Sequence, residues 1–308
     1  SNWLELNSNV AYNQDNAGWG GTHSSTVVNL QNGGAARSSA NGVDYIAYCW
    51  HSVSGFSKIG TYTGTGSSQT ITTGFQPDWI LTKRYDTTDN WRMYDSVRQN
   101  AQPFDEILYP NLGNAEEDND TFVTGTTSTG FTLGSGNGSN ASGGSYLYMA
   151  LKQNATLSTE KAKSFNVTTY TGNGSTNSIT GVGFRPDFVW LKDRDSTNWH
   201  TLFDNVRGPA ARIHSNSSNA QDMTGTTSLT SFDSDGFSLG SNANENTNTN
   251  DYVAWSWKAG NNWVNNNDGS VSSIVNYNTG NKFSIVRYTG TGSATTVGHG
   301  LGTSPTFI

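Results

Sequence analysis

Along this chain, short runs in which large apolar side chains alternate with small or polar ones end, after about four to eight residues, in clusters of Gly, Asn, Asp or Ser. In DYIAYCWH (Asp44 to His51) a period of two puts Ile46, Tyr48 and Trp50 on one face. The matching runs give Leu147, Met149 and Leu151, then Val253, Trp255 and Trp257. That face is large and apolar in all three runs, which predicts that it faces the core. The opposite face, Tyr45, Ala47 and Cys49 with their equivalents, is smaller and more mixed. A second kind of run follows Pro-Asp and is apolar on both faces: Trp79, Ile80, Leu81, and again Phe188, Val189, Trp190, Leu191. Such a strand is expected at the centre of a sheet, covered on both sides. Tyr-Thr-Gly-x-Gly, at Tyr62, Tyr170 and Tyr288, reads as a strand entering a tight turn whose glycines supply positive φ.

These runs recur in a fixed order. GFQPDWILTKRYD (Gly74 to Asp86), NWRMYDSVR (Asn90 to Arg98), TGFTLGS (Thr129 to Ser135) and SYLYMALK (Ser145 to Lys152) come back as GFRPDFVWLKDRD, NWHTLFDNVRG, DGFSLGS and DYVAWSWK between Gly183 and Lys258. The repeat is about a hundred residues, the size of a small domain. It divides the chain into the back half of a repeat (1–51), a complete repeat (56–152), a second (165–258), an Asn- and Gly-rich connector (259–282) and the front half of a third (283–308). Within that connector, SVSSIVNY has the pattern of an added strand; the short polar stretch between the two complete repeats, Ala155 to Lys163, gives the only hint of helix. The expected class is all-β: tandem antiparallel β-sandwich or jelly-roll-like domains. Two readings fit the half-repeats at the ends. Either the chain runs past both of them, or the halves complete one domain, within a chain or between neighbouring chains by strand complementation.

Composition narrows the function. Of 308 residues, 13% are charged and 12% aromatic, unlike a disordered chain. The net charge of −7, without a basic block, argues against a nucleic-acid partner. No apolar run approaches the ~18 residues of a membrane span. The one cysteine, Cys49, aligns with Ala150 and Ser256 and is expected to be a small packed residue.

The series YTGxG, GFxPDFVWxKxRD, FDxVRG, GFSLG and YVAWxWKAG resembles a repeat of tailed-phage virion proteins, notably from marine and cyanobacterial phages. NNDGSVSSIV (Asn266 to Val275) and the stretch from Gly280 to Pro305 look like the junction between such repeats. The resemblance covers nearly the whole chain, most weakly over residues 10–40. It implies a structural or adhesive protein of a tail fibre, spike or capsid-attached appendage, on the virion surface or otherwise extracellular. Its partners would be copies of itself, other virion proteins and host-surface polysaccharide. It brings no catalytic residue and no cofactor. The alternative of another class is a secreted bacterial adhesin or carbohydrate-binding module of the same architecture.

Candidate chemistry is weighed residue by residue. Paired carboxylates would suit a glycosidase, yet Asp78 and Asp187 fall in Pro-Asp turns, Asp86 and Asp195 end strands, and Asp95 and Asp204 are set to pair with Arg98 and Arg207. Local structural roles are expected for all six. Glu116, Glu117, Asp118 and Asp120 form an acidic loop that repeat two does not reproduce, so it reads as solvated and not as a metal site. The five histidines show no ligand spacing and are expected at the surface or at strand ends. For carbohydrate, which packs on aromatic faces beside amides, Trp3, Trp91 and Trp199 recur after Asn and read as core. Trp19 and Trp263, outside the repeated pattern, are the candidate glycan-contact residues.

Overall fold

The structure, a computed structural model, describes residues 3–12, 19–31, 38–98, 104–119, 121–153, 163–260 and 262–308. The helix hint at Ala155 to Lys163 falls, except for Lys163, outside the described residues. In chain order the first part holds β1 (Val27–Leu30) and β2 (Asp44–Trp50). Repeat one follows with β3 (Ser57–Thr63), β4 (Gln69–Thr72), β5 (Trp79–Arg84), β6 (Trp91–Asp95), β7 (Glu106–Ile107), β8 (Glu117–Asp118), β9 (Val123–Thr127), β10 (Gly130–Leu133), the single helical turn α1 (Asn137–Asn140) and β11 (Ser145–Leu151). Repeat two matches it element for element: β12 (Phe165–Thr171), β13 (Asn177–Ile179), β14 (Phe188–Asp193), β15 (Thr201–Asp204), β16 (Ala211–Arg212), β17 (Asp222–Met223), β18 (Leu229–Asp233), β19 (Gly236–Leu239), α2 (Ala243–Asn246) and β20 (Asp251–Trp257). The last part adds β21 (Val264–Asn266), β22 (Ser273–Asn278), β23 (Phe283–Thr289) and β24 (Thr295–Gly298).

The fold is all-β with antiparallel sheets, as the alternation predicts. Each repeat is a sandwich of a four-stranded sheet (β3-β11-β5-β6; β12-β20-β14-β15) on a three-stranded one (β4-β10-β9; β13-β19-β18). The Pro-Asp strands β5 and β14 are central and almost wholly buried. Two compact units result. One contains residues 5–11 and both repeats (54–257); the other joins 1–4, 12–53 and 258–308.

In the second unit the two half-repeats meet within one chain. β2 pairs with β23 along its whole length, Asp44 to Thr289 through Trp50 to Phe283, and β1 pairs with β24. These pairings have the register of the complete repeats: Tyr45 lies opposite Tyr288 as Tyr146 lies opposite Tyr62 and Tyr252 opposite Tyr170. At the other edge of β2, Phe307 bridges Trp50, and the Thr306 N–H donates to the Trp50 carbonyl at 2.7 Å. Asp78 donates to Leu151 and Asp187 to Trp257 in the same way, each at 2.8 Å. Residues 259–282, read from sequence as a connector, supply β21 and β22, which extend this sheet beyond β23.

The structure corrects one expectation about faces. Between the two sheets of repeat one lie Tyr148 and Ala150 of β11 with Ile80, Tyr94, Phe131 and Leu133. The equivalents elsewhere are Ala254 with Phe203 and Phe237, and Ala47 and Cys49 with Val28, Val286 and Val297. The small face of the closing strand therefore looks into the sandwich, because bulky residues of the neighbouring strands fill the space it leaves. The large face is buried too, but elsewhere. In the unit that holds both repeats, Trp79 of β5 packs edge-on against Phe165 and Trp257, with ring centroids 6.0 and 5.9 Å away. Trp255 meets Trp190 at 6.0 Å, and its indole N–H donates to Asp95 of repeat one at 2.9 Å. What a single repeat presents as an outer apolar face is the seam between two repeats.

Candidate functional site

Three recurrent tyrosine pairs hold the turn-bearing end of each sandwich. Tyr62 stacks on Tyr146 with centroids 4.9 Å apart, Tyr170 on Tyr252 at 5.0 Å and Tyr45 on Tyr288 at 5.3 Å. The hydroxyls grip the segment before the closing strand. Tyr62 donates to the Ser139 carbonyl, Tyr170 to that of Glu245 and Tyr288 to that of Ser38, while Ala141, Thr247 and Ala40 each donate an N–H to the second tyrosine. The YTGxG turn lies against the same segment. Gly66, Gly174 and Gly292 have φ of 71°, 66° and 74° and donate to the carbonyls of Asn140, Asn246 and Ser39. Asn140 also fills the turn with its side chain, accepting from Thr65 N–H and donating to the carbonyls of Ser67 and Gly134. Asn246 does the same, and Ser39 substitutes with a hydroxyl. These amides carry no flanking motif that marks them, so the sequence does not single them out.

The repeated carboxylates act locally. Asp95 accepts from Arg98 at 2.7 Å and Asp204 from Arg207 at 2.6 Å. Asp78 accepts from Gln153 N–H and Ser96 O–H, Asp187 from Asn205 and Arg185. Asp86 pairs with Arg84, and Asp195 caps the Asp251 N–H. From the acidic loop, Glu116 is drawn in: it bridges the fully buried Arg98 of repeat one to Arg194 of repeat two. Burial raises the Glu116 pKa, but Arg98 and Arg194 outweigh it and hold the carboxyl below its ordinary value. Glu106 behaves in the opposite way. Burial first, then Glu116 and Asp105, push it up to about 7. Asp120 lies outside the described residues. Among the described residues, no group of three or more His, Cys, Asp or Glu side chains is placed to hold a metal ion, and no helix is long and apolar enough to cross a membrane. Cys49 is fully buried, and burial pushes its thiol up to about 12.

Three histidines, His200, His214 and His299, depart from the surface expectation. His299 is buried and holds the Ser24 carbonyl and the Leu301 N–H. His200 is buried with Nδ1 accepting from the Trp190 indole at 2.9 Å, and burial keeps it well below its ordinary pKa.

The candidate tryptophans take different environments. Trp19 is half-buried beside β1: it bridges Leu30, packs against the cluster of Val28, Leu30 and Val297, and meets His23 edge-on at 6.0 Å. Trp263 immediately precedes the edge strand β21 and is 56% exposed. Val264, next in the chain, is exposed as well, and Tyr277 of β22 is partly exposed with its ring against Gly300. Trp19 and Trp263 are thus associated with different sheets of one unit. Trp3 and Trp91 are buried, as read, but Trp199 is 42% exposed.

The reason is a slip of one residue. Counting back from the matched Asp95 and Asp204, repeat two has an extra residue, so His200 stands where Trp91 does. The hydrogen bonds agree: Trp91 N–H donates to Asn111 Oδ1, and His200 N–H donates to Asn216 Oδ1. Trp199 then occupies the place of Asn90, and one residue of slip along a strand turns a side chain to the other face.

A strand-for-strand duplication with a third sandwich closed by both halves defines the class: a protein of tandem antiparallel β-domains. The chain belongs to the family described as a domain of unknown function, DUF7483, whose model matches residues 1–154 and again 160–308. The break between the two matches falls between repeat one and repeat two. No curated protein and no solved structure matches the chain.

Proposed function

We propose that this chain is a structural, adhesive component of a particle-surface appendage of the tailed-phage kind, in which β-sandwich repeats supply reach and exposed aromatics touch host-surface glycans. The observation that carries this reading is the recurrence itself: what returns from copy to copy is the tyrosine clamp, its turn and the packed faces. A unit repeated for its packing suits a part whose task is mechanical. The order of motifs, which resembles that of a tailed-phage virion repeat, supports the reading. Of the two candidate glycan-contact residues, Trp263 is the open one and Trp19 the half-buried one, so Trp263 is the residue this reading assigns to glycan contact. Its partners are other copies and other particle proteins.

Peptide mass spectrometry and immunogold labelling of purified particles test the reading. Labelled appendages, with peptides from this chain co-purifying at fixed stoichiometry, are expected. Recovery from the secreted or cell-surface fraction of an uninfected bacterium would replace this reading with the adhesin.

A further inference from the structure

Trp199, one residue out of step with the buried Trp91 of repeat one, is a large aromatic side chain left open. The Trp91 indole N–H donates to the Glu5 carbonyl at 2.9 Å, whereas the Trp199 indole N–H has no partner among the described residues. Around Trp199 the surface is polar. The ring of His214 lies 4.7 Å away at 73°, and its Nδ1 is 3.0 Å from the His200 carbonyl oxygen. A carbonyl only accepts, so Nδ1 carries the proton and Nε2 is left as an acceptor. Burial lowers the His214 pKa, so the ring is neutral at pH 7. Asn216 holds the His200 N–H through Oδ1, which leaves its Nδ2 as a donor. Asn198 commits Nδ2 to Asp193 and Ala243, which leaves its Oδ1 as an acceptor. A loop of repeat one borders the place: Ser215 Oγ donates to the Pro110 carbonyl, and a β-carbon on Gly113 would lie 2.9 Å from the Thr197 oxygen and 3.5 Å from Asn216 Nδ2.

We propose that Trp199, with His214, Asn198 and Asn216, is a binding site for a neutral pyranose unit of a polysaccharide. A pyranose presents an apolar C–H face and a rim of hydroxyls, and each hydroxyl both donates and accepts. The indole suits the face, and an amide donor with two neutral acceptors suits the rim. A protein partner would call for a broader apolar centre, about 800 Å² on each side, than one tryptophan among amides provides. The chain's net charge of −7 disfavours an acidic glycan. The site deepens the adhesive reading, but its test needs no particle, so either can fail alone.

The experiment is affinity electrophoresis and a glycan array with the full chain, using neutral glucans, galactans and mannans as probes and acidic polysaccharides for comparison. Binding to at least one neutral probe is expected. Trp199→Ala should weaken it ten-fold or more, and Trp199→Phe should retain most of it, with the thermal midpoint unchanged because the side chain is half open. Absence of binding to every neutral probe overturns the proposal, as does equal binding by Trp199→Ala. Loss of binding in Trp263→Ala alone moves glycan contact to the β21 edge and overturns the Trp199 site. A change in sedimentation in Trp199→Ala assigns the residue to contact between copies.

Discussion

A β-carbon at Gly172 would lie 2.1 Å from the Thr247 carbonyl oxygen, and at Gly64 2.2 Å from that of Ala141. Here the requirement is space, because two backbones touch where the YTGxG turn meets the segment held by the tyrosines. Gly172→Ala should cost about 3 kcal/mol. Gly143→Ala, where φ is 75° and nothing lies within 4 Å, should cost only about 1 kcal/mol. Urea unfolding of both variants checks the contrast. Titration gives a second test at this scale. Glu106 has a folded pKa of about 7 against an ordinary 4.5, so the native state binds the extra proton. This residue therefore lowers stability progressively as pH rises from about 4.5 to about 7, and no further above that. Glu116, with its pKa depressed, acts the other way: its contribution is present above about 4.5 and fades as pH falls through its folded value. In denaturation midpoints measured from pH 5 to pH 8, Glu106→Gln should gain relative to the parent as pH rises.

Between elements, the seam of the two repeats rests on aromatic rings packed edge-on and on two carboxylates, Asp95, which accepts from the Trp255 indole, and Glu116. Glu116 ties Arg98 to Arg194, and Arg98 is wholly buried. Glu116→Gln should cost about 2 kcal/mol, less than the ~3–5 for a buried charge stripped of all partners, because Asp95 stays with Arg98. Differential scanning calorimetry checks it, and a comparable loss in Gln221→Ala would contradict the assignment, since Gln221 is the neutral equivalent in repeat two. This scale also marks how far the sequence could be read. Period two located the strands and Pro-Asp located the central ones, since both patterns follow from which faces are buried. Period two alone does not distinguish which of two buried faces looks into the sandwich, so in the closing strand the larger face is not the inward one. The tryptophan after Asn looked like one position in three copies, and only pairing register shows that Trp199 is one residue out of step. Asn140 and Asn246, which plug the turns, look in sequence like any other asparagine of the loops. Of the two candidate glycan residues, Trp263 is open and Trp19 half-covered, and exposure is a property of neighbours distant in sequence.

For the whole molecule, the claim on which the rest depends is that residues 44–50 and 283–298 close a third sandwich inside one chain. Asp44 and Thr289 face each other at the exposed end of β2 and β23, joined by a hydrogen bond from Thr289 Oγ1 to Asp44 Oδ1 at 2.6 Å. That bond and the surface pair of Asp44 with Arg287 can be removed at little cost. Asp44→Cys combined with Thr289→Cys, oxidised under mild conditions and run on a non-reducing gel, is the most direct measurement. A single band of monomer mass, shifted by the closed loop and reverting on reduction, is the result this account predicts. Disulfide-linked dimers and higher ladders would show that the strands are exchanged between chains, and would contradict it.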